Sequence, residues 1–490
     1  MADPNFDLDI ELIVKRAISG VVTFTLRTFF LQIFTFFATF ILTILLEPSI
    51  FGVFFIVSAL LNFLVYFSDI GLAAALIQKK EQPTTEDLST TFTIQQIIVI
   101  LLVVLGILLS GPIAQFYNLD ASGLLLLRVL ILSLFLSSLK TIPSIILERQ
   151  LKFGRLVIPQ IAENVVFYSV ALILAYLEFG IAAFTWAVLA RGLTGLVLIY
   201  ALSPWIPRLS FNIATAKRLT SFGIPFQLNS ILALLKDDLL TIFLGKILTF
   251  TQIGYIGWAQ KWAFTPLRFF MDSVNKITFP AYSRMQNHSD KLGKAIEKSI
   301  FFVTYFVYPS VFGMAAIAPT VIEIVPRYGK WEPALPLLYL FGINSIFSAV
   351  STTFTNALFA TGRPKIVLNF MVFWTSATWI LTYPLVIRFG YIGVGIASAI
   401  VATTSIATIY FVKREISVSV GKSIIGPLSM SAVMFLVVIS LQNVLPSTLP
   451  SLLLTIVAGV AVYAVLSFSV FRKRLIEDAM IITRSLFSKN

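Results

Sequence analysis

Residues 88–110 read LSTTFTIQQIIVILLVVLGILLS, a stretch with no ionisable side chain. Coiled as a helix at about 1.5 Å per residue it is long enough to cross a hydrocarbon layer of roughly 30 Å. Polar turns separate it from similar runs on either side. Together these predict spans at 17–46, 50–77, 88–110, 123–147, 157–177, 181–202, 219–244, 250–280, 298–320, 334–360, 366–387, 391–412, 423–444 and 450–471. The expected fold is therefore all-α, a polytopic membrane protein of about fourteen transmembrane helices.

Composition agrees. Of 490 residues, 58% are hydrophobic, 12% are charged and 45 are phenylalanine, and the mean hydropathy is +0.93. A soluble domain would be about 45–50% apolar and about 25% charged. The net charge of +13 would raise the question of nucleic acid in a soluble chain. In a membrane chain, excess Lys and Arg mark cytoplasmic loops. With a cytoplasmic N-terminus, inside connections hold 24 of the 36 Lys and Arg, outside connections 4, and helices the remaining 8. The outside four are Lys246, Arg327, Lys330 and Arg388. Both termini are thus expected in the cytoplasm, and no nucleic-acid partner is expected. There is no cysteine and one histidine, His288, so thiolate chemistry and histidine metal clusters are ruled out, and no cofactor is expected. No G-x-x-x-x-G-K-[ST] phosphate loop occurs. The acidic start, Met1 to Glu11, does not read as a cleavable signal peptide.

The chain resembles itself at an offset of about 200–210 residues. Ile50-Phe51-Gly52 answers Gln252-Ile253-Gly254, and Asp69 answers Asp272. Phe179-Gly180 with Ile199-Tyr200 answers Phe389-Gly390 with Ile409-Tyr410. The repeat unit is six helices, which leaves both halves in the same orientation and a central site between them. The expected division is 1–202 and 219–414 for the two bundles, 203–218 for a basic cytoplasmic linker, and 415–490 for helices thirteen and fourteen with a cytoplasmic tail.

Ionisable groups at mid-membrane cost at least about 2.5–3.5 kcal/mol on insertion scales, so they normally face a cavity or a partner. In helix eight, Lys261, Arg268, Asp272 and Lys276 are spaced 7, 4 and 4 apart, within roughly an 80° arc. The stripe could be an ion-paired packing face, Asp272 neutralising Arg268 and Lys276. One acid cannot balance three bases, which favours a cavity wall. In helix two, Ser58, Asn62, Tyr66 and Asp69 share a face. Arg27 and Arg191 join the cavity candidates. Lys140 reads as a snorkelling lysine, and Glu163 with Asn164 as hydrated residues in the first turns of helix five. Within the spans eight bases face five acids. Such a surplus calls for an anion, and phosphate oxygens suit Arg and Lys. The candidate substrate-binding residues are Arg27, Lys261, Arg268, Lys276 and Arg191, and the candidate gating or coupling residues are Asp69 and Asp272.

The stretch Phe67-Ser68-Asp69-Ile70-Gly71-Leu72-Ala73-Ala74-Ala75-Leu76-Ile77-Gln78-Lys79-Lys80, then Thr85-Glu86-Asp87-Leu88-Ser89-Thr90, resembles the polysaccharide transporter family of flippases. That family comprises the O-antigen, colanic-acid and teichuronic-acid type exporters of the multidrug/oligosaccharidyl-lipid/polysaccharide superfamily. Ile142 to Phe153 and the linker segment Leu202-Ser203-Pro204-Trp205 with Pro207-Arg208 also resemble it. The resemblance implies two six-helix bundles in a V plus two extra C-terminal helices. It implies alternating access that turns a polyprenyl-pyrophosphate-linked oligosaccharide across the cell membrane. Partners would be that lipid-linked oligosaccharide, membrane lipids, and polysaccharide polymerase and glycosyltransferases. In related lipid II flippases, cavity arginines on helices one and eight meet the pyrophosphate; Arg27 and Arg268 match those by helix and approximate depth, not by motif. The alternatives are a cation-coupled drug or metabolite antiporter, which should show surplus acid, and a membrane glycan polymerase or ligase, which should show a large outer loop. Transport rather than enzyme catalysis is expected.

Overall fold

In the computed structural model the backbone is described for residues 10–79, 81–228, 234, 237–286, 288–416 and 418–487, and the side chains for these except 10–26, 222–228, 272, 273, 276, 277, 280, 415, 422 and 473–487. The helices are α1 Ile10–Leu45, α2 Pro48–Ser68, α3 Leu72–Gln78, α4 Thr85–Tyr117, α5 Ala121–Leu139, α6 Thr141–Arg149, α7 Phe153–Tyr176, α8 Ala182–Leu202 and α9 Ile213–Leu228. They continue as α10 Asp238–Ile247, α11 Phe250–Met285, α12 Ser289–Ile324, α13 Leu335–Ala360, α14 Pro364–Phe389, α15 Ile392–Thr403, α16 Ala407–Glu415, α17 Val420–Val444 and α18 Leu449–Phe487. Among the described residues there is no strand. The helices group into two compact units, 1–254 and 255–490.

Twelve segments of the described residues are long and apolar enough to cross a membrane. Fourteen spans were expected, and the two not among the twelve are helices seven and eight. Part of helix seven lies outside the described residues, as do Asn229 and Lys236 within it. Helix eight, α11, has the length, but its five charged residues, Lys261, Arg268, Asp272, Lys276 and Arg284, dilute its apolar character.

Several expected helices are broken, each for a local reason. Helix two ends at Ser68, and Gly71 takes φ +80°, a left-handed conformation that costs a glycine little. Asp69 therefore lies outside the helix and not on a continuous face with Ser58, Asn62 and Tyr66. Its Oδ1 accepts the N–H groups of Leu72 at 2.8 Å and Ala73 at 3.4 Å, where α3 begins and backbone donors are otherwise unmet. Helix four breaks at Lys140, which closes α5 and opens α6. Pro143 has no N–H to give the Leu139 carbonyl, and the Tyr200 hydroxyl donates to that oxygen at 3.1 Å. Helix five starts at Phe153 rather than 157, so Glu163 lies at mid-helix, not in the first turns. A capping box starts α4, Thr84 Oγ1 accepting from Asp87 N–H while Asp87 accepts from Thr84 N–H.

The internal repeat has two structural signatures. Gly180 and Gly390, 210 residues apart, both follow long helices with positive φ, +56° and +58°. Where α2 crosses the start of α11, a Cβ on Gly52 would meet the Phe250 carbonyl oxygen at 1.8 Å, and one on Gly254 would meet the Pro48 carbonyl oxygen at 2.0 Å. Adding 202 to 48 and 52 yields 250 and 254, so the crossing is reciprocal under the repeat. Small residues let helix backbones approach this closely inside a membrane.

Candidate functional site

In the second unit the cations are set out along α11. Leu267, Phe270, Met271 and Val274 pack into that unit's apolar core. At 3.6 residues per turn, Lys261 and Arg268 stand about 120° around the helix from them. Lys261 is half-buried and Arg268 exposed. Two helical turns, about 10.5 Å of rise, separate them. Neither has an ion-pair partner among the described residues. Pro266 lies between them and interrupts the backbone ladder. The side chains of Asp272 and Lys276 lie outside the described residues. A cavity of about 280 Å³ in the same unit is lined by apolar residues, among them Ala263, Phe312, Leu338 and Phe435, and gathers none of these cations.

The first unit holds a mid-membrane charge cluster that periodicity did not reveal. Lys140 Nζ lies 2.6 Å from Glu163 Oε1, and Arg191 Nε lies 3.7 Å from Glu163 Oε2. Lys140 is thus not a snorkelling lysine, and Glu163 is not a hydrated helix end. The carboxylate sits against the backbone of α8: a Cβ on Gly195 would fall 1.7 Å from Glu163 Oε1. Gly195 is one turn beyond Arg191, so one helix supplies both the cation and the notch. The Lys140 and Glu163 side chains are 17% and 13% exposed, but Arg191 is 47% exposed. Its guanidinium also lies 5.9 Å from the centre of the Phe167 ring. The exposed large apolar residues of α8 are Trp186, Leu193 and Val197, about 120–160° around the helix from Arg191. Arg191 is therefore open on the face turned away from that apolar stripe.

Arg27 belongs to the same unit. Helix α1 packs along α7, with Phe34 and Tyr168 edge to face at 6.0 Å. Arg27 lies seven residues, about two turns, before Phe34 on the same helix. Arg27 Nε and Gln160 Oε1 are both buried without a hydrogen-bond partner among the described residues, a costly state for polar atoms in an apolar medium. Asp69 joins neither group. Asp238 accepts a 3.0 Å hydrogen bond from Asn62 Nδ2, which ties α10 to α2.

The structure thus brings Arg191 together with Glu163 and Lys140, keeps Lys261 and Arg268 on one face, and sets Asp69 at a helix break. Glu163 was missed because its partners lie 23 and 28 residues away on other helices. The signal available in the sequence was an acid in mid-span, which needs a base. Open Arg and Lys at this depth can hold phosphate oxygens through charge-assisted hydrogen bonds.

An all-helical, multi-pass membrane chain with open cations inside its spans has the makings of a transporter of the flippase and multidrug type. The solved lipid II flippase MurJ, in an inward closed conformation, is similar in fold with a TM-score of 0.75 and 15% identity, over 93% of this chain and 100% of that one. An inward-facing multidrug resistance MATE transporter aligns with a TM-score of 0.57 and 15% identity, over 77% and 94% of the two chains. The succinoglycan biosynthesis transport protein ExoT of Rhizobium meliloti (strain 1021) is 22% identical over 443 residues, 87% of this chain and 86% of its own. The teichuronic acid biosynthesis protein TuaB of Bacillus subtilis (strain 168) is 25% identical over 318 residues, 64% of each chain. The family model described as "Polysaccharide biosynthesis protein" matches residues 41–336. The chain belongs to that family, the polysaccharide transporters of the multidrug/oligosaccharidyl-lipid/polysaccharide superfamily.

Proposed function

We propose that the protein is a flippase that carries a polyprenyl-pyrophosphate-linked oligosaccharide across the cytoplasmic membrane by alternating access, for cell-surface polysaccharide biosynthesis. The supporting observation is the pair Lys261 and Arg268, seven residues apart on the non-core face of α11, without an ion-pair partner among the described residues. They present surplus positive charge at membrane depth, where a pyrophosphate can meet it. In this reading Arg268 and Lys261 hold the pyrophosphate, Lys276 extends the stripe, and Arg27 and Arg191 serve from the first unit. Arg fits phosphate through its planar fork and Lys as a point charge. The working parts are the repeats 1–202 and 219–414, the linker 203–218, and the 415–490 addition, with both termini in the cytoplasm. Asp272 orients Arg268 when the site is empty. Asp69 acts on gating through the α2–α3 break that it caps, not by touching substrate.

The test is glycan export in cells that lack their endogenous flippase. At matched expression, the Lys261→Ala/Arg268→Ala double variant is expected to abolish export and Arg268→Lys to reduce it in part. Normal export by the double variant would end the anion-site reading. A cation-coupled antiporter is the second reading, supported by the likeness to the MATE fold. It requires drug efflux that survives the same double substitution.

A further inference from the structure

We propose that Glu163 is an internal stand-in for the substrate's phosphate: it occupies Arg191 while the site is empty and yields Arg191 to the pyrophosphate when substrate arrives, with Lys140 holding Glu163 back. This proposal rests on the flippase reading and adds to it a positioning pair that exchanges partners.

The geometry of the three residues is unequal in the way such an exchange needs. Lys140 holds the carboxylate at 2.6 Å, whereas Arg191 stands off at 3.7 Å, beyond a good hydrogen bond. Lys140 and Glu163 are mostly buried, and Arg191 is half open. One carboxylate shared by two cations leaves one positive charge over, and that surplus lies on the accessible member. The carboxylate itself cannot easily follow Arg191. It is seated in the notch over Gly195, where even a methyl group would overlap Oε1 at 1.7 Å. Lys140 is fixed at the α5–α6 break, whose exposed carbonyl at Leu139 is tied to α8 by Tyr200. Arg191 alone of the three has room to change partners. Its open face lies away from the exposed large apolar residues Trp186, Leu193 and Val197, the side of α8 suited to hydrocarbon, where a guanidinium would be costly.

The exchange predicts substitution effects of opposite sign. Glu163→Gln removes the competitor for Arg191, so pyrophosphate should bind more tightly. Lys140→Met leaves Glu163 with Arg191 as its only base, so Arg191 is captured and pyrophosphate should bind more weakly. A purely structural cluster would weaken binding in both. The measurement is binding of undecaprenyl pyrophosphate to the purified full chain in nanodiscs, using monodisperse samples of matched yield. Changes should be roughly tenfold in Kd, the size expected for one charge-assisted hydrogen bond. Gly195→Ala, which displaces the carboxylate without altering any charge, should tighten binding like Glu163→Gln, and Arg191→Gln should loosen it. If Lys140→Met does not fold, the Glu163→Gln and Gly195→Ala pair still decides: tighter binding in both supports the exchange, and weaker or unchanged binding in either overturns it. Shifts of the same sign in Glu163→Gln and Lys140→Met, on a wild type that binds, overturn the exchange alone. A wild type that does not bind undecaprenyl pyrophosphate overturns the flippase reading and this proposal with it.

Discussion

Gly52 on α2 lies so close to Phe250 on α11 that a Cβ would be 1.8 Å from the Phe250 carbonyl oxygen. Gly254 repeats the relationship against Pro48. The opposing atoms are backbone, which cannot rotate aside as a side chain would. Gly52→Ala and Gly254→Ala should each destabilise the protein by about 1–3 kcal/mol, the usual range for overpacking. Because the crossing is one feature, the double variant should cost less than the sum of the singles. Thermal unfolding in detergent checks both statements, and a wild-type Tm in either single variant would refute the close crossing.

Asp87 is 1% exposed and meets Lys79 at 2.5 Å and Arg218 at 2.6 Å, besides taking its capping bonds from Thr84. Lys79 is 14% exposed and Arg218 58%, so solvent screens the second pair much more. Asp87→Ala strands a mostly buried lysine and removes a helix cap, and should cost roughly 3 kcal/mol. Arg218→Ala should cost less than about 1 kcal/mol. Equal losses of stability in the two variants would count against this ranking.

Arg149 donates to the carbonyls of Leu76, Ile77, Lys79 and Glu81 at 2.7 to 3.0 Å. These carbonyls end α3 and its following turn, where intrahelical donors have run out. Arg149→Ala should raise amide exchange across 76–82 while leaving α7 unchanged. Arg149→Lys should restore protection only in part, because an ammonium cannot span four carbonyls as a planar fork does.

The proposed topology is directly testable because the chain has no cysteine. A cysteine at position 288, just before α12, should resist an impermeant thiol reagent applied from outside and react once the membrane is opened. Labelling in intact cells would reverse the assignment.

The broad architecture was legible because transfer of a segment into lipid is a sum over its own residues. Runs such as 88–110 therefore declared themselves. Gly180 and Gly390, paired by sequence alone, share the same positive φ. The stripe of Lys261 and Arg268 was legible for the same reason: a single helix fixes the angle between residues seven apart. Local backbone chemistry was harder to read. Asp69 looked like part of a helical face, but Gly71 ends that helix and turns the carboxylate into a cap for the next.

The sequence by itself determined that the chain is a bundle of apolar helices with basic residues placed at membrane depth, because hydrophobicity and helical periodicity are local. Only the tertiary structure decided which charges meet. Lys140, Glu163 and Arg191 lie on α5–α6, α7 and α8, and no spacing along the chain predicts their contact. It depends on the helix break at Lys140 and on the missing side chain at Gly195, which together let a carboxylate settle between two cations and leave one of them open.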